Sequence, residues 1–144
     1  MNSIKITGNV TKDPEIRALG NSNWSALEFS IGNNDESKKN SEGQYENIAS
    51  FFDIKHLFDN TKEYNGIGST QYWIQKISKG SSVTIQGRLK QERWEKDGKK
   101  HSRVKIVAKT GWGEGRPIVV HPKVQKEQGQ GSAPTQFDED GIPF

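Results

Sequence analysis

Two segments of the chain combine aromatic and cationic side chains at even spacing. Arg88 and Lys90 precede Trp94 by even numbers of positions. Lys55 follows Phe51 with the same parity. In a β-strand, residues two apart lie on one face, so each segment would place a ring beside cations. Cations can hold a phosphate backbone while an exposed ring stacks on a base, so these residues are suited to binding a nucleic acid.

The first of these groups falls in residues 80–109, which are predicted to form a long β-hairpin. Its first strand alternates polar residues with the apolar series Val83, Ile85 and Leu89. Asp97-Gly98 favours a two-residue turn. The second strand then places on opposite faces Val104, Ile106 and Ala108, and Arg103, Lys105 and Lys109. A hairpin built this way has an apolar underside and a basic upper side.

The basic side has a purely structural alternative. Lysine and arginine on a solvated hairpin often only protect a strand edge, and a lone tryptophan often caps a core. From the hairpin alone, the two interpretations are equally supported.

Three further strands are predicted before this hairpin, over residues 4–10, 24–31 and 48–58. In the second of them Trp24 falls opposite the apolar face, where it is either a stacking platform or an interface residue. In the third, Phe51, Lys55 and Leu57 share the face opposite the core. That face either contacts a ligand or is covered by a neighbouring subunit.

The segments between these strands are predicted as two loops and one helix. Residues 32–46 are polar and residues 59–70 carry two glycines, which favours loops. Residues 71–78 are predicted to form a short helix, with Trp73, Ile74 and Ile77 on one side. That spacing is typical of a helix that caps a core rather than of a binding site.

Composition predicts one domain followed by a tail. The chain has 144 residues, of which 30% are hydrophobic, so part of it is expected to be disordered. Residues 1–110 carry 18 Lys and Arg against 13 Asp and Glu (net +5), and residues 111–144 carry 3 against 5 (net −2). A basic body suits a polyanionic partner. The absence of cysteine fits a reducing compartment, and the sequence has no membrane-spanning apolar run or signal-peptide core, which together predict a cytoplasmic protein.

The tail is predicted to have three parts. Residues 111–121 form an extension that includes a short strand, residues 122–137 a disordered linker, and residues 138–144 a docking peptide. The docking residues are an acidic cluster followed by an apolar end: Asp138, Glu139, Asp140, Ile142, Pro143 and Phe144. Apolar residues at the end of a polar linker have no folding role there, which favours binding to partner proteins.

Catalysis is not expected, nor is any cofactor or metal. Two carboxylates, Asp13 and Glu15, flank a turn, and the other acidic cluster lies in the tail. The histidines, His56, His101 and His121, are scattered without metal-ligand spacing. Since no nucleophile–base pair or phosphate-binding loop is present in the sequence, the pattern favours a binding protein over an enzyme.

Several segments together resemble the bacterial and phage single-stranded-DNA-binding protein family. They are residues 8–10 with 13–17, residues 51–54, residues 79–89 with Trp94, and residues 142–144 after acidic residues. The chain departs from the family in lacking a tryptophan in residues 32–46, in a longer segment before the helix and in Gly141 near the tip.

The resemblance implies an all-β, five-stranded OB-fold barrel over residues 1–110, with one short helix between strands 3 and 4. It also implies sequence-independent binding of single-stranded DNA in replication, recombination and repair, by a homo-oligomer with a tetramer favoured over a dimer. The DNA-binding residues would be Phe51 and Trp94, which match the family's stacking positions, with Lys55, Arg88, Lys90, Arg103 and Lys105. The acidic tip, residues 138–144, would recruit replication and repair proteins.

Two alternatives stay open at this point. The first is an OB-fold adaptor that keeps its oligomer and its tip but binds nucleic acid weakly or not at all. The second is a preference for RNA, because stacking and phosphate contacts do not select the sugar.

Overall fold

The computed structural model describes residues 1–109 and 116–122. These residues form nine strands and one helix. In chain order they are β1 (Ile4–Val10), β2 (Glu15–Ala18), β3 (Trp24–Lys39), β4 (Tyr45–Asp59), β5 (Glu63–Tyr64), β6 (Ile67–Gly68), α1 (Ser69–Lys76), β7 (Ser82–Lys96), β8 (Lys99–Ala108) and β9 (Ile118–Val120).

Five long strands carry the fold. Pairing runs β1–β3–β4–β8–β7, and β1 also pairs with β7, so the ladder that begins at β1 returns to it. The pairing of β4 with β8 is parallel, and the other four pairings are antiparallel. With α1 between the third and fourth of these strands, the predicted OB-fold order is confirmed. The short strands β2 and β9 add to β3 and β7, and β9 is the extra strand predicted after residue 110.

The core lies where apolar residues of alternating strands meet. Its buried strand residues include Val10, Leu27, Phe29, Ile31, Ile54, Val83, Ile85, Ile106 and Ile118. Trp73 and Ile77 pack against this cluster, which confirms that the helix caps the core. Ile74 was wrongly placed on that side, since 60% of it is exposed.

Residues 32–46 were predicted to form a polar hairpin loop, but most of them belong to the outer halves of β3 and β4, and only residues 40–44 connect the two strands. The two strands pair from Trp24 with Asp59 to Lys39 with Tyr45, with a register shift between Asn33 and Glu36. This ribbon projects beyond the core, so polar residues occupy both of its faces. Its sequence therefore lacks the alternation by which a half-buried strand is recognised.

The outer half of the β7–β8 hairpin also extends past the core. Leu89 and Val104 lie on its apolar side but are 46% and 58% exposed. Asp97 and Gly98 both have positive φ, as the predicted two-residue turn requires. Asn65 and Gly66 make the same kind of turn between β5 and β6, within residues 59–70, which were expected to form a loop.

Candidate nucleic-acid interface

One face of the sheet, here called the outer face, carries every DNA-binding residue predicted within the OB-fold. Lys55 lies opposite Val107 of β8, which lies opposite Arg88 of β7. Cross-strand partners share a face, and so do residues two apart along a strand. Phe51 therefore lies on the same face as Lys55, and Trp94 on the same face as Arg88.

Phe51 is a strongly exposed ring of the outer face, with 68% of its surface accessible. It lies opposite Gly32 of β3 in the strand register. A Cβ atom at Gly32 would be 3.3 Å from Cε1 of the Phe51 ring. The absence of a side chain at Gly32 thus lets the ring rest close to the sheet while its other side faces solvent.

Trp94 lies on the outer half of β7, also on the outer face, and is 44% exposed. Its ring stacks on that of His101, with centroids 5.6 Å apart and planes inclined by 19°. The two residues are cross-strand partners. His101 was not among the predicted site residues. The Asp97-Gly98 turn does predict the pair, since Trp94 and His101 are equally distant from that turn. The stacking platform at Trp94 therefore consists of two rings.

Beside these rings the outer face carries an ion network formed by Glu28, Lys55, Glu92 and Lys105. The Lys105 ammonium is 3.4 Å from both Glu28 Oε2 and Glu92 Oε1. The Lys55 ammonium is 3.6 Å from Glu92 Oε1. Only 13% of the Lys105 side chain and 16% of the Lys55 side chain are exposed. The network joins β3, β4, β7 and β8 across the middle of the outer face.

The carboxylate of Glu92 responds to two opposing effects. Desolvation alone would raise its pKa, but the ammonium groups of Lys105 and Lys55 together outweigh this effect. The pKa of Glu92 is therefore lower than its ordinary value, and Glu92 carries its charge at neutral pH. Two carboxylates thus face two ammonium groups, and the Arg17 guanidinium also contacts Glu28 at 2.8 Å, so both carboxylates of the network are paired with cations.

The remaining predicted cations differ in whether their side chains are already paired. Arg103 Nη1 lies 3.5 Å from Asp53 Oδ2, and Asp53 also accepts a hydrogen bond of 2.7 Å from the Ser30 hydroxyl. Arg88 and Lys90 are exposed, and the side chain of neither forms an ion pair or hydrogen bond with any residue that the structure describes. These two cations can therefore bind a phosphate without breaking an existing contact.

The structure thus brings all seven predicted residues to one face, but the upper side is not uniformly basic as the sequence predicted. Three carboxylates, Glu28, Asp53 and Glu92, are paired with three of the five predicted cations. No pattern within a single segment reveals these pairs, because the partners meet across strands that are distant in sequence. The predicted linker, the tip at residues 138–144 and Trp112 lie outside the described residues.

A cleft of about 200 Å³ adjoins the ion network on the side of β2. Its charged lining residues are Lys12, Glu15, Glu28, Asp53, Arg103 and Lys105. Cations and carboxylates are balanced there, so the cleft does not concentrate charge of one sign. Over residues 1–109 and 116–122, no group of three or more His, Asp or Glu side chains is placed to hold a metal ion. In the same residues, no helix is long and apolar enough to cross a membrane.

The sequence matches a known protein family. The model of the family described as "Single-strand binding protein family" matches residues 1–111. The single-stranded DNA-binding protein of Aquifex aeolicus is 31% identical over 157 aligned positions, which cover 100% of this chain and 99% of that protein. The single-stranded DNA-binding protein of Deinococcus radiodurans is 33% identical, over 75% of this chain and 32% of that longer protein.

Solved structures show the same fold. A Plasmodium falciparum SSB in complex with ssDNA superposes with a TM-score of 0.62 at 18% identity, covering 85% of this chain and 96% of that one. The single-stranded DNA binding protein from Thermus aquaticus superposes with a TM-score of 0.60 at 22% identity, covering 85% of this chain and 50% of that one. At these identities the likeness is one of backbone architecture and does not extend to the side chains of the outer face.

Proposed function

The chain belongs to the single-strand binding protein family, and on that premise we propose that it binds single-stranded DNA without base specificity, in DNA replication, recombination and repair. It acts as a binding protein rather than as an enzyme. The observation that carries this proposal is the exposure of Phe51 and Trp94 on one face together with the unpaired cations Arg88 and Lys90. Rings stack on any base, and cations bind any phosphate, so neither contact depends on sequence.

The ion network indicates how the strand lies on the outer face. Its lysines are already paired with carboxylates, so phosphates gain little by approaching the centre. Bases can lie over the paired charges of the ion network, and Phe51 and Trp94 can stack on individual bases. Phosphates are then best placed along β7, where Arg88 and Lys90 are free. The proposed strand therefore turns its bases toward the sheet and its backbone toward the β7 side.

Titration of intrinsic tryptophan fluorescence with oligo-dT, oligo-rU and duplex DNA at two salt concentrations tests the proposal. We expect tight, salt-sensitive binding of oligo-dT and much weaker binding of duplex. Equal affinity for duplex would contradict it. The paired state of Lys55 and Lys105 favours a second candidate, an OB-fold adaptor with little affinity for nucleic acid, and negligible binding of oligo-dT would establish that candidate instead. The oligo-rU titration decides between DNA and RNA.

We further propose that the protein forms a homo-oligomer, with a tetramer favoured over a dimer by family resemblance. Beyond its short pairing with β3 at Asn9 and Val10, one edge of β1 faces no strand in the described residues. The side-chain amide of Asn33 donates to the Thr7 carbonyl on that edge, at 2.8 Å. A groove of about 400 Å³ beside it is lined by Ile4, Ile6 and Phe52, among others.

An open strand edge beside partly exposed apolar residues suits pairing with a second copy of the chain. Light scattering at micromolar concentration should therefore give the mass of an oligomer. A monomeric mass would reject this part of the proposal.

The acidic tip, residues 138–144, is proposed to recruit replication and repair proteins in the cytoplasm, at the nucleoid. The Phe144 ring and the terminal carboxylate suit an apolar pocket rimmed by arginine or lysine, and the acidic residues would steer the encounter. Deletion of the tip should abolish capture of such proteins and leave affinity for oligo-dT equal or slightly higher. Unchanged capture would show that the tip has no docking role.

A further inference from the structure

Trp24 is an exposed ring that the interface described above does not use. It lies near the end of the outer face remote from Trp94, and 50% of its surface is exposed. Ala26, two positions further along β3, lies opposite Leu57 on β4 and opposite Arg17 on β2. Trp24, Leu57 and Arg17 therefore share the outer face with the ion network and Phe51.

The neighbours of Trp24 supply the same chemistry as the stacking sites proposed above. Leu57 is 42% exposed and adds apolar surface. The Arg17 side chain is 63% exposed and forms an ion pair of 2.8 Å with Glu28, which continues the ion network toward β2. Asp59, directly opposite Trp24, has its carboxylate bound by the amide and hydroxyl of Thr61 at 2.9 and 2.6 Å. A negative charge here disfavours a phosphate over the ring and favours a base.

The backbone around Trp24 is held in place on both sides. The Leu19 amide donates to the Trp24 carbonyl at 3.0 Å, and the Trp24 amide donates to the Ser22 hydroxyl at 3.3 Å. The Asn60 amide donates to the Asn23 carbonyl at 2.8 Å. A ring presented from a fixed backbone loses little conformational freedom when a ligand stacks on it.

We propose that Trp24, with Leu57 and Arg17, forms an additional stacking subsite for single-stranded DNA at the β2–β3 end of the outer face. The inference rests on the proposed function and extends the path of the bound DNA strand along the outer face. Leu57 and Phe51 are separated by about 20 Å along β4. A strand that reaches Trp24 from Phe51 must therefore be several nucleotides longer than one bound at Phe51 alone.

Binding of oligo-dT from about 6 to about 30 nucleotides, a range that brackets the site size of an OB-fold, tests the subsite in the full chain. Trp24→Ala should weaken binding of long oligomers about 5- to 150-fold, as expected for one lost stacking contact, and leave short oligomers unaffected. Trp24→Phe should retain most of the affinity because it keeps a ring. Trp24→Leu keeps apolar bulk without a ring and should behave as Trp24→Ala. Ile74→Ala removes an equally exposed apolar side chain from α1 and should change nothing.

Unchanged binding of short oligomers by Trp24→Ala also shows that the variant is folded, so its effect at greater length is specific. Equal affinities of wild type and Trp24→Ala at every length would overturn the subsite. Wild-type affinity in Trp24→Leu would overturn stacking as its basis. A smaller mass of Trp24→Ala by light scattering would assign the ring to contact with a second copy of the chain instead. Failure of the wild type to bind even long oligo-dT would remove the proposed function itself, and the subsite with it.

Discussion

Lys90 and Lys105 lie directly opposite each other on β7 and β8, yet only Lys105 is engaged by carboxylates. Sequence analysis assigned both to phosphate binding. Because a phosphate would have to compete with Glu28 and Glu92 for Lys105, the two lysines should contribute differently to the salt dependence of binding.

Lys90→Gln should reduce the slope of log affinity against log salt for oligo-dT by about 0.7, the value for one phosphate contact on a single strand. In the variant Lys105→Gln both carboxylates of the ion network keep a cation, Glu28 with Arg17 and Glu92 with Lys55. The slope of this variant should equal that of the wild type. A slope reduced as much as in Lys90→Gln would show that Lys105 binds a phosphate directly.

Gly32→Ala should weaken DNA binding without a comparable loss of stability. The added Cβ would lie 3.3 Å from Cε1 and 3.6 Å from Cδ1 of Phe51, which forces the ring to shift by a few tenths of an ångström. Gly68→Ala, where nothing lies within 4 Å of the added atom, is the matched control. Titration with oligo-dT and thermal unfolding measure the two effects. Equal affinities of both variants would mean that Gly32 does not position the ring.

Phe51→Ala and Trp94→Ala should each cost about 1–3 kcal/mol of binding free energy per stacked base. Their effect on stability should be small because both side chains are substantially exposed. The loss should persist at high salt, unlike that of Lys90→Gln, since stacking releases no counterions. Unaltered affinity of Trp94→Ala would remove Trp94 from the interface.

His56 predicts a loss of stability on mild acidification. Its ring packs edge-on against Trp73 at a centroid distance of 5.1 Å, and burial lowers its pKa more than the hydrogen bond with the Ala108 carbonyl raises it. The unfolded chain therefore takes up the proton at higher pH than the folded one. The contribution of His56 to the free energy of unfolding is fully present above the pKa that His56 has in the unfolded chain. It declines as the pH falls below about 6.5.

Urea unfolding at about pH 7 and about pH 5 measures this effect, and the interval avoids most carboxylate titration. The decline in the free energy of unfolding should be smaller in His56→Gln, which cannot be protonated. An equal decline in both proteins would exclude His56 as its source.

Sequence patterns predicted those parts of the fold that have a core beneath them. Leu27, Phe29 and Ile31 alternate with polar residues because every second residue between Leu27 and Ile31 is buried. Past Asn33, both faces of β3 are in contact with solvent. No residue there has to be buried, so apolar and polar residues no longer alternate. The ion network was beyond prediction because the parallel pairing of β4 with β8 brings Lys55 near Glu92, and no local pattern encodes that register.

The return of the ladder from β7 to β1 has a consequence for how the chain folds. The β3–β4 and β7–β8 hairpins join neighbouring segments, whereas the β1–β7 pairing joins Ile4 to Gly87 and must close a long loop. Local hairpins form in microseconds, and pairings of high sequence separation are slower. We expect the contacts of β1 with β7 to form late, after the transition state of folding, so that Ile6→Val slows refolding less than it speeds unfolding.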